Sequence, residues 1–304
     1  MSAAAEHTYT LADLAQWSFA GTSLAVVGQP VAHSLSPEMH NAALAQLALA
    51  RPQYRDWRYF KFDVAPDALP QALRLFHEKK FHGLNLTVPH KALVVGLLDS
   101  SDEFVRAAGA ANTLSRTGTG WRGNNTDGIG LALALRETLQ AELAGADVIL
   151  LGSGGAARAA AVQCLQARCR SLWIGNRTQA SLEALIRGLQ PVTLPASVHG
   201  FSLDRLAGLP AGAIIINATS LGLKPGDRAP VDLREIPRPA GVYDMIYRPS
   251  PTALLRQAAE LGLPRADGLS MLIHQGARSL EIWTGVTAPL QVMQQTARSA
   301  LGPH

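Results

Sequence analysis

Three clusters of polar residues in the first half of the chain sit where a folded core has little use for them. In HSLSPEMHN, Ser36 precedes Pro37 and can serve as the N-cap of a helix opening there. Ser34 has no such duty, and two hydroxyls flanking a helix N-terminus also make a carboxylate site. In NLTVPHK, strand alternation turns Asn85 and Thr87 to one face and Leu84, Leu86 and Val88 to the core. Pro89 then opens a helix with Lys91 in its first turn, where the helix dipole disfavours a cation. Lys91 is therefore either a solvated surface lysine or a functional one. In GNNTDG, Asp127 either caps the next helix or faces a ligand in the cleft expected where the two halves of the chain meet.

A fourth cluster binds by its backbone. DVILL runs into GSGGAAR, so a strand, a glycine turn and a helix follow one another. Gly152 permits the tight turn, Gly154 lets the chain approach a diphosphate, and Ala157 allows close helix–sheet packing. The next strand ends in Asn176, Arg177 and Thr178, where NAD-binding units usually place an acidic residue for the ribose 2′-hydroxyl. A guanidinium there suits a 2′-phosphate instead, which favours NADP over NAD. Nine histidines are present, but none has metal-ligand spacing; His33, His40, His90 and His274 read as structural and no metal is expected.

The elements that must position these residues alternate. Apolar runs of four to seven residues are separated by amphipathic stretches, the pattern of strand–helix units around mostly parallel sheets. Strands are expected at 23–28, 57–64 and 83–88, a hairpin over 112–125 about Gly118 and Gly120, and a helix over 130–143. From Asp127 the pattern restarts as a doubly wound α/β unit. The expected fold is α/β with two domains: 21–126 plus 270–304 for substrate, 127–269 for the dinucleotide, and a helical C-terminal return. Residues 1–20, with a helical LADLAQW, look like an optional extension.

At 304 residues, 47% hydrophobic and 16% charged, the chain is neither disordered nor a coiled coil. Its net charge of +4 is dispersed, which suits a small anionic ligand and argues against nucleic acid. Cys164 and Cys169 form no disulfide framework and read as small buried residues. No basic, apolar leader opens the chain, and the uncharged stretch 206–223 is broken by Pro210, Gly212 and Asn217. A cytoplasmic enzyme without membrane partners is expected.

Taken together, GQPVAHSLSPEMHN, GLNLTVPHK, GAANTL, NNTDG, GSGGAAR, NRT, NATSLG, YDMIY and MLIHQGA stand in an order that closely resembles the shikimate dehydrogenase family, from about Ser23 to Gly285. The resemblance implies an N-terminal substrate domain joined to a Rossmann domain. It also implies NADP-dependent, reversible reduction of 3-dehydroshikimate to shikimate in aromatic amino-acid and chorismate biosynthesis. Carried onto this chain, it gives Ser34, Ser36 and Tyr247 to the substrate carboxylate, and Asn85, Thr87, Asn112 and Gln275 to the ring hydroxyls. Lys91 and Asp127 become the catalytic pair. Gly152, Ser153, Gly154, Gly155 and Ala156 fall at the diphosphate, Asn176, Arg177 and Thr178 at the adenosine end, and Thr219, Ser220, Met245 and Gly268 toward the nicotinamide.

Many NADP-using members carry a second basic residue after the NRT arginine, whereas here Gln179, Ala180 and Ser181 follow. An NAD-dependent quinate/shikimate dehydrogenase, or an enzyme for an amino analogue, shares the scaffold. A non-catalytic NADP sensor would have no need of Lys91 and Asp127, and a folate-linked dehydrogenase no need of the paired serines. Monomer and homodimer are both compatible with the sequence.

Overall fold

The apolar runs of the first half assemble a seven-stranded sheet, and those of the second half a six-stranded one. The computed structural model describes residues 7–189, 196–224 and 226–302. The chain divides into two units, 1–126 with 273–304 and 127–272. Residues 1–6 of the expected extension and 303–304 of the helical return lie outside the described residues.

The first unit comprises β1 (Thr8–Tyr9), α1 (Leu11–Ala15), β2 (Thr22–Gly28), α2 (Ser36–Ala50), β3 (Trp57–Asp63), α3 (Leu69–Glu78), β4 (Gly83–Leu86), α4 (His90–Leu93), β5 (Ser100–Ser101), α5 (Glu103–Ala108), β6 (Thr113–Arg116) and β7 (Trp121–Asn124). Its strand order is β1-β3-β2-β4-β6-β7-β5. The first four strands are parallel; β6 runs antiparallel to both β4 and β7, forming the hairpin that Gly118 and Gly120 announce. Alternation sends Ala25, Val27, Phe60, Phe62, Leu84 and Leu86 into one core. Val88 does not join them, being 64% exposed. The strand ends at Leu86, and the Thr87 carbonyl accepts from the His90 amide, so alternation stops two residues before Val88.

The N-terminal segment is part of this core rather than an appendage. β1 pairs with β3, Leu14 is fully buried, and Tyr9 and Trp17 pack edge-on against Phe60. A capping box between Thr10 and Asp13 starts α1.

The second unit comprises α6 (Asp127–Leu139), β8 (Asp147–Leu151), α7 (Gly155–Gln166), β9 (Ser171–Gly175), α8 (Gln179–Leu189), β10 (Ser197–Phe201), β11 (Ile214–Asn217), β12 (Gly241–Asp244), α9 (Ala253–Glu260) and β13 (Arg265–Ala266). All its strands are parallel, in the order β10-β9-β8-β11-β12-β13. Counted within the unit this is 3-2-1-4-5-6, the Rossmann order, whose reversal between β8 and β11 opens a crevice at their carboxyl ends. α6 begins at Asp127, earlier than the periodicity predicts, so Asp127 lies inside the first turn and does not precede the helix as a cap. α10 (Leu269–Thr284) runs from this unit back into the first, and α11 (Leu290–Leu301) packs on α2. No described helix is long and apolar enough to cross a membrane.

Candidate active site

In the first unit the polar residues meet on the sheet face opposite the aromatic core. Ser36 is the first residue of α2 and not its cap: Leu35 holds the cap position without a side-chain bond, and Ser34 Oγ accepts from the Ser36 amide at 3.3 Å. The Ser36 hydroxyl, nearly buried, turns instead to Tyr59 on β3. Tyr59 donates onward to Asn85 Oδ1 at 2.7 Å. Lys61, on the same face of β3 and 5% exposed, donates from Nζ to the Ala32 carbonyl at 3.0 Å and so ties down the loop carrying Ser34.

Asn85 is fully engaged inside the protein. Its Nδ2 has three acceptors, Ser279 Oγ at 2.9 Å, the Asn112 carbonyl at 3.0 Å and Thr113 Oγ1 at 3.1 Å. Asn112, 1% exposed, donates to Thr126 Oγ1 at 2.9 Å and Gln275 Oε1 at 3.2 Å, while its Oδ1 accepts from the Thr126 amide at 2.8 Å. The neighbouring Ala111 amide donates to the Lys91 carbonyl at 2.8 Å. Lys91 is the second residue of α4, half-buried, and Thr87 is half-buried at the end of the same segment. Asp127, the residue after Thr126, is buried.

Tyr59, Thr113, Ser279 and His40 belong to this cluster although motif spacing does not single them out. His40 is fully buried, stacked on Tyr59 at 4.2 Å with 2° between ring planes, and neither ring nitrogen has a partner. Burial pushes its imidazole down to about 3 and raises the Tyr59 phenol, an effect the hydrogen bond from Ser36 opposes. The available signal was a polar tip, Tyr59, in register with Lys61 and out of register with Phe60 and Phe62.

In the second unit the glycine turn lies at the switch point. Gly152 holds φ +114, and a Cβ there would stand 2.9 Å from the Ala218 carbonyl, so only glycine fits between the two loops. A Cβ on Gly154 would enter open space in front of the α7 N-terminus, the room that a diphosphate needs. Ser153, Gly155 and Ala156 are half-buried around it. Asn176 Nδ2 donates to the Thr178 carbonyl at 2.9 Å, shaping the turn that exposes Arg177 and Thr178. Thr219 is half-buried and Ser220 exposed after β11. The Met245 amide donates to the Asn217 carbonyl at 2.9 Å and the Gly268 amide to the Ile246 carbonyl at 3.3 Å, which gathers both around the same strand ends. Tyr247 is half-buried beyond β12. These groups fit a dinucleotide, with Gly152–Gly154 and the α7 N-terminus for its diphosphate and Arg177 for a 2′-phosphate. Cys164 and Cys169 are free and buried, and burial pushes the Cys169 thiol up to about 11. Among the described residues no group of histidine, cysteine or acidic side chains is placed to hold a metal ion.

Residues 26–114 match the family model described as the shikimate dehydrogenase substrate binding domain, and residues 268–298 the shikimate 5′-dehydrogenase C-terminal domain. A shikimate dehydrogenase (NADP(+)) of Microcystis aeruginosa is 38% identical over 277 residues, covering 90% of this chain and 94% of that one. The shikimate 5-dehydrogenase of Thermus thermophilus, solved in complex with NADP(H) and shikimate, superposes with a TM-score of 0.79 at 33% identity, covering 92% of this chain and 99% of its own. The ligand-free 5-ketofructose reductase of a Gluconobacter strain also superposes with a TM-score of 0.79, at 32% identity, over 93% of this chain and 99% of its own. Identity of this extent, over nearly the whole length of both chains, makes this protein a member of the shikimate dehydrogenase family.

Proposed function

We propose that the chain catalyses the reversible, NADP-dependent interconversion of 3-dehydroshikimate and shikimate, serving aromatic amino-acid biosynthesis. The observation that carries this reading is the cluster on Asn112. One buried amide holds Gln275 and the backbone next to Asp127, and the residue before it holds the backbone of Lys91. A polyhydroxylated ring acid is the ligand chemistry that such a set of amides, hydroxyls and one amine matches.

On this reading Ser34 and Ser36, with Tyr247, hold the ring carboxylate, and Thr87, Asn112 and Gln275 bind the hydroxyls. Asn85 commits its amide hydrogens within the protein, as Asn112 does, so at either residue a ring hydroxyl binds by displacing one of those bonds. Bound NADPH supplies the hydride to the ring carbonyl carbon. The oxygen then needs a proton, which the Lys91 ammonium donates; neutral Lys91 removes it in the reverse direction. Asp127, buried, serves to orient the lysine or the substrate hydroxyl. Arg177 takes the 2′-phosphate, and the exposed Gln179 and Ala180 after it offer no second cation. The enzyme acts on small molecules in the cytoplasm, as a monomer or homodimer.

A matrix of initial rates tests the assignment, with shikimate and quinate each paired with NADP and NAD. Shikimate with NADP should lead by at least about tenfold in kcat/KM, or about 1.4 kcal/mol of transition-state preference. A lead for NAD or quinate would leave the fold standing and move the enzyme to the quinate/shikimate branch, with the missing second cation as its cause.

A further inference from the structure

The Asp244 carboxylate has no role in the reading above, yet it is fully buried at the carboxyl end of β12, one strand from the switch point. Three segments converge on it. Asn217 Nδ2 donates to Oδ1 at 2.9 Å and the Ile246 amide at 3.1 Å, while Thr252 Oγ1 donates to Oδ2 at 2.6 Å. Asn217, also fully buried, turns its own Oδ1 to the Thr219 amide at 3.0 Å and hydroxyl at 2.8 Å. Thr219 Oγ1 in turn accepts from the Leu221 amide at 3.1 Å. Asp244 thus reaches the 218–222 loop through Asn217, and holds the turn after β12 and the start of α9 directly, while Asp227 Oδ2 accepts from the Gly222 amide at 2.9 Å at the loop's far end.

A buried carboxylate without a neighbouring cation is expensive, and burial pushes its pKa up. A strand-to-helix connection does not require one. Thr252 already caps α9 by accepting from the Leu255 amide. What the carboxylate adds is mutual register between loops. Gly222, at φ +115, packs so that a Cβ would meet Ile246 and Thr252 at 3.1 Å, and at the other end of the loop Ala218 abuts the Gly152 turn. A shift of the 218–222 loop is therefore felt at the diphosphate turn.

We propose that Asp244 is a positioning residue for the dinucleotide: through Asn217 it fixes the 218–222 loop against the Gly152 turn and so sets where the nicotinamide end of the cofactor lies. The proposal rests on the NADP reading above and deepens it. The carboxylate acts by geometry, as a multiple acceptor, and the amide of an asparagine retains part of that capacity.

Calorimetric titration with NADP+ alone, beside steady-state kinetics, tests it. In Asp244→Ala the Kd for NADP+ should rise at least about tenfold, the scale of one lost charge-assisted bond, with kcat falling and the KM for shikimate within about twofold of wild type. Asp244→Asn should bind NADP+ within about threefold of wild type, since one acceptor oxygen remains. Should Asp244→Ala not fold, Thr252→Val keeps the packing on Gly222, removes the bond to Oδ2, and should raise the Kd by about threefold or more. An unchanged Kd in the alanine or valine variant, a KM for shikimate that climbs in step, or an Asp244→Asn variant as weak as the alanine one would each overturn the proposal. A wild-type protein that binds no NADP+ would instead sink the functional reading itself.

Discussion

The two sheets answer the ligands proposed for them by different means. The six-stranded sheet presents backbone: a glycine turn at Gly152–Gly154, the start of α7, and an exposed arginine. The seven-stranded sheet presents side chains, with Tyr59, Asn85, Asn112, Thr126 and Ser279 bonded in a buried web. A backbone site depends on a few consecutive residues and tolerates changes to side chains around it. A buried web is drawn from distant segments, and each member removed leaves a partner orphaned at about 1–3 kcal/mol. The first kind of site is vulnerable at its glycines and the second at nearly every member.

The sharpest break in that comparison falls on the chemistry itself. Lys91→Ala should lower kcat by at least about a hundredfold with little change in KM, because only the transition state needs the proton. Asp127→Asn should lose a similar factor. Wild-type turnover in Lys91→Ala would end the acid–base assignment, and an unchanged rate in Asp127→Asn would reduce Asp127 to a residue of the α6 first turn.

Arg177→Ala comes next. Its guanidinium is exposed, so its loss should leave stability alone while costing about 1.5–3 kcal/mol of NADP binding, roughly ten- to a hundredfold in KM. The KM for NAD should not move. Equal losses with both dinucleotides would show that Arg177 shapes the turn and reads no phosphate.

Legibility in the sequence followed the same division. The glycine turn, the strand–helix alternation of the doubly wound unit and the hairpin expected over 112–125 were readable because each depends on local spacing. Ser36 as a helix cap was not sustained, since α2 starts one residue early: Ser36 lies inside its first turn and Leu35 holds the cap position. The extension at 1–20 read as optional because no motif marks it, yet Leu14 lies in the Phe60 core and Trp17 packs against it. Asp244 stood in YDMIY with its neighbours assigned and itself ignored, since burial is invisible to spacing.

Tyr59→Phe separates web from pocket. It removes the donor to Asn85 Oδ1 while keeping the ring on His40. The orphaned oxygen should lower stability to urea by about 1–3 kcal/mol. If stability does not change, Tyr59 is not a hub and the web is looser than its distances imply.

The smallest effect at neutral pH belongs to His40, and it grows as the medium is acidified. Burial pushes its imidazole down to about 3 in the folded protein, from a usual value of 6.5. Between those values the unfolded chain binds a proton that the folded one refuses. Stability therefore rises with pH across this window and is lost as pH falls below about 6.5, by at most about 1.4 kcal/mol per pH unit from this one group. His90, also pushed down by burial and with Nδ1 unpartnered, adds in the same direction. His40→Phe keeps an aromatic ring against Tyr59 and discards both orphaned nitrogens, so its urea-unfolding free energy should fall less steeply than wild type between pH 6.5 and 4.5. The slope that remains belongs to His90 and the carboxylates. Identical slopes in the two proteins would mean that the folded state admits the proton at His40, and hence that helix α2 opens enough there to let water reach the stack.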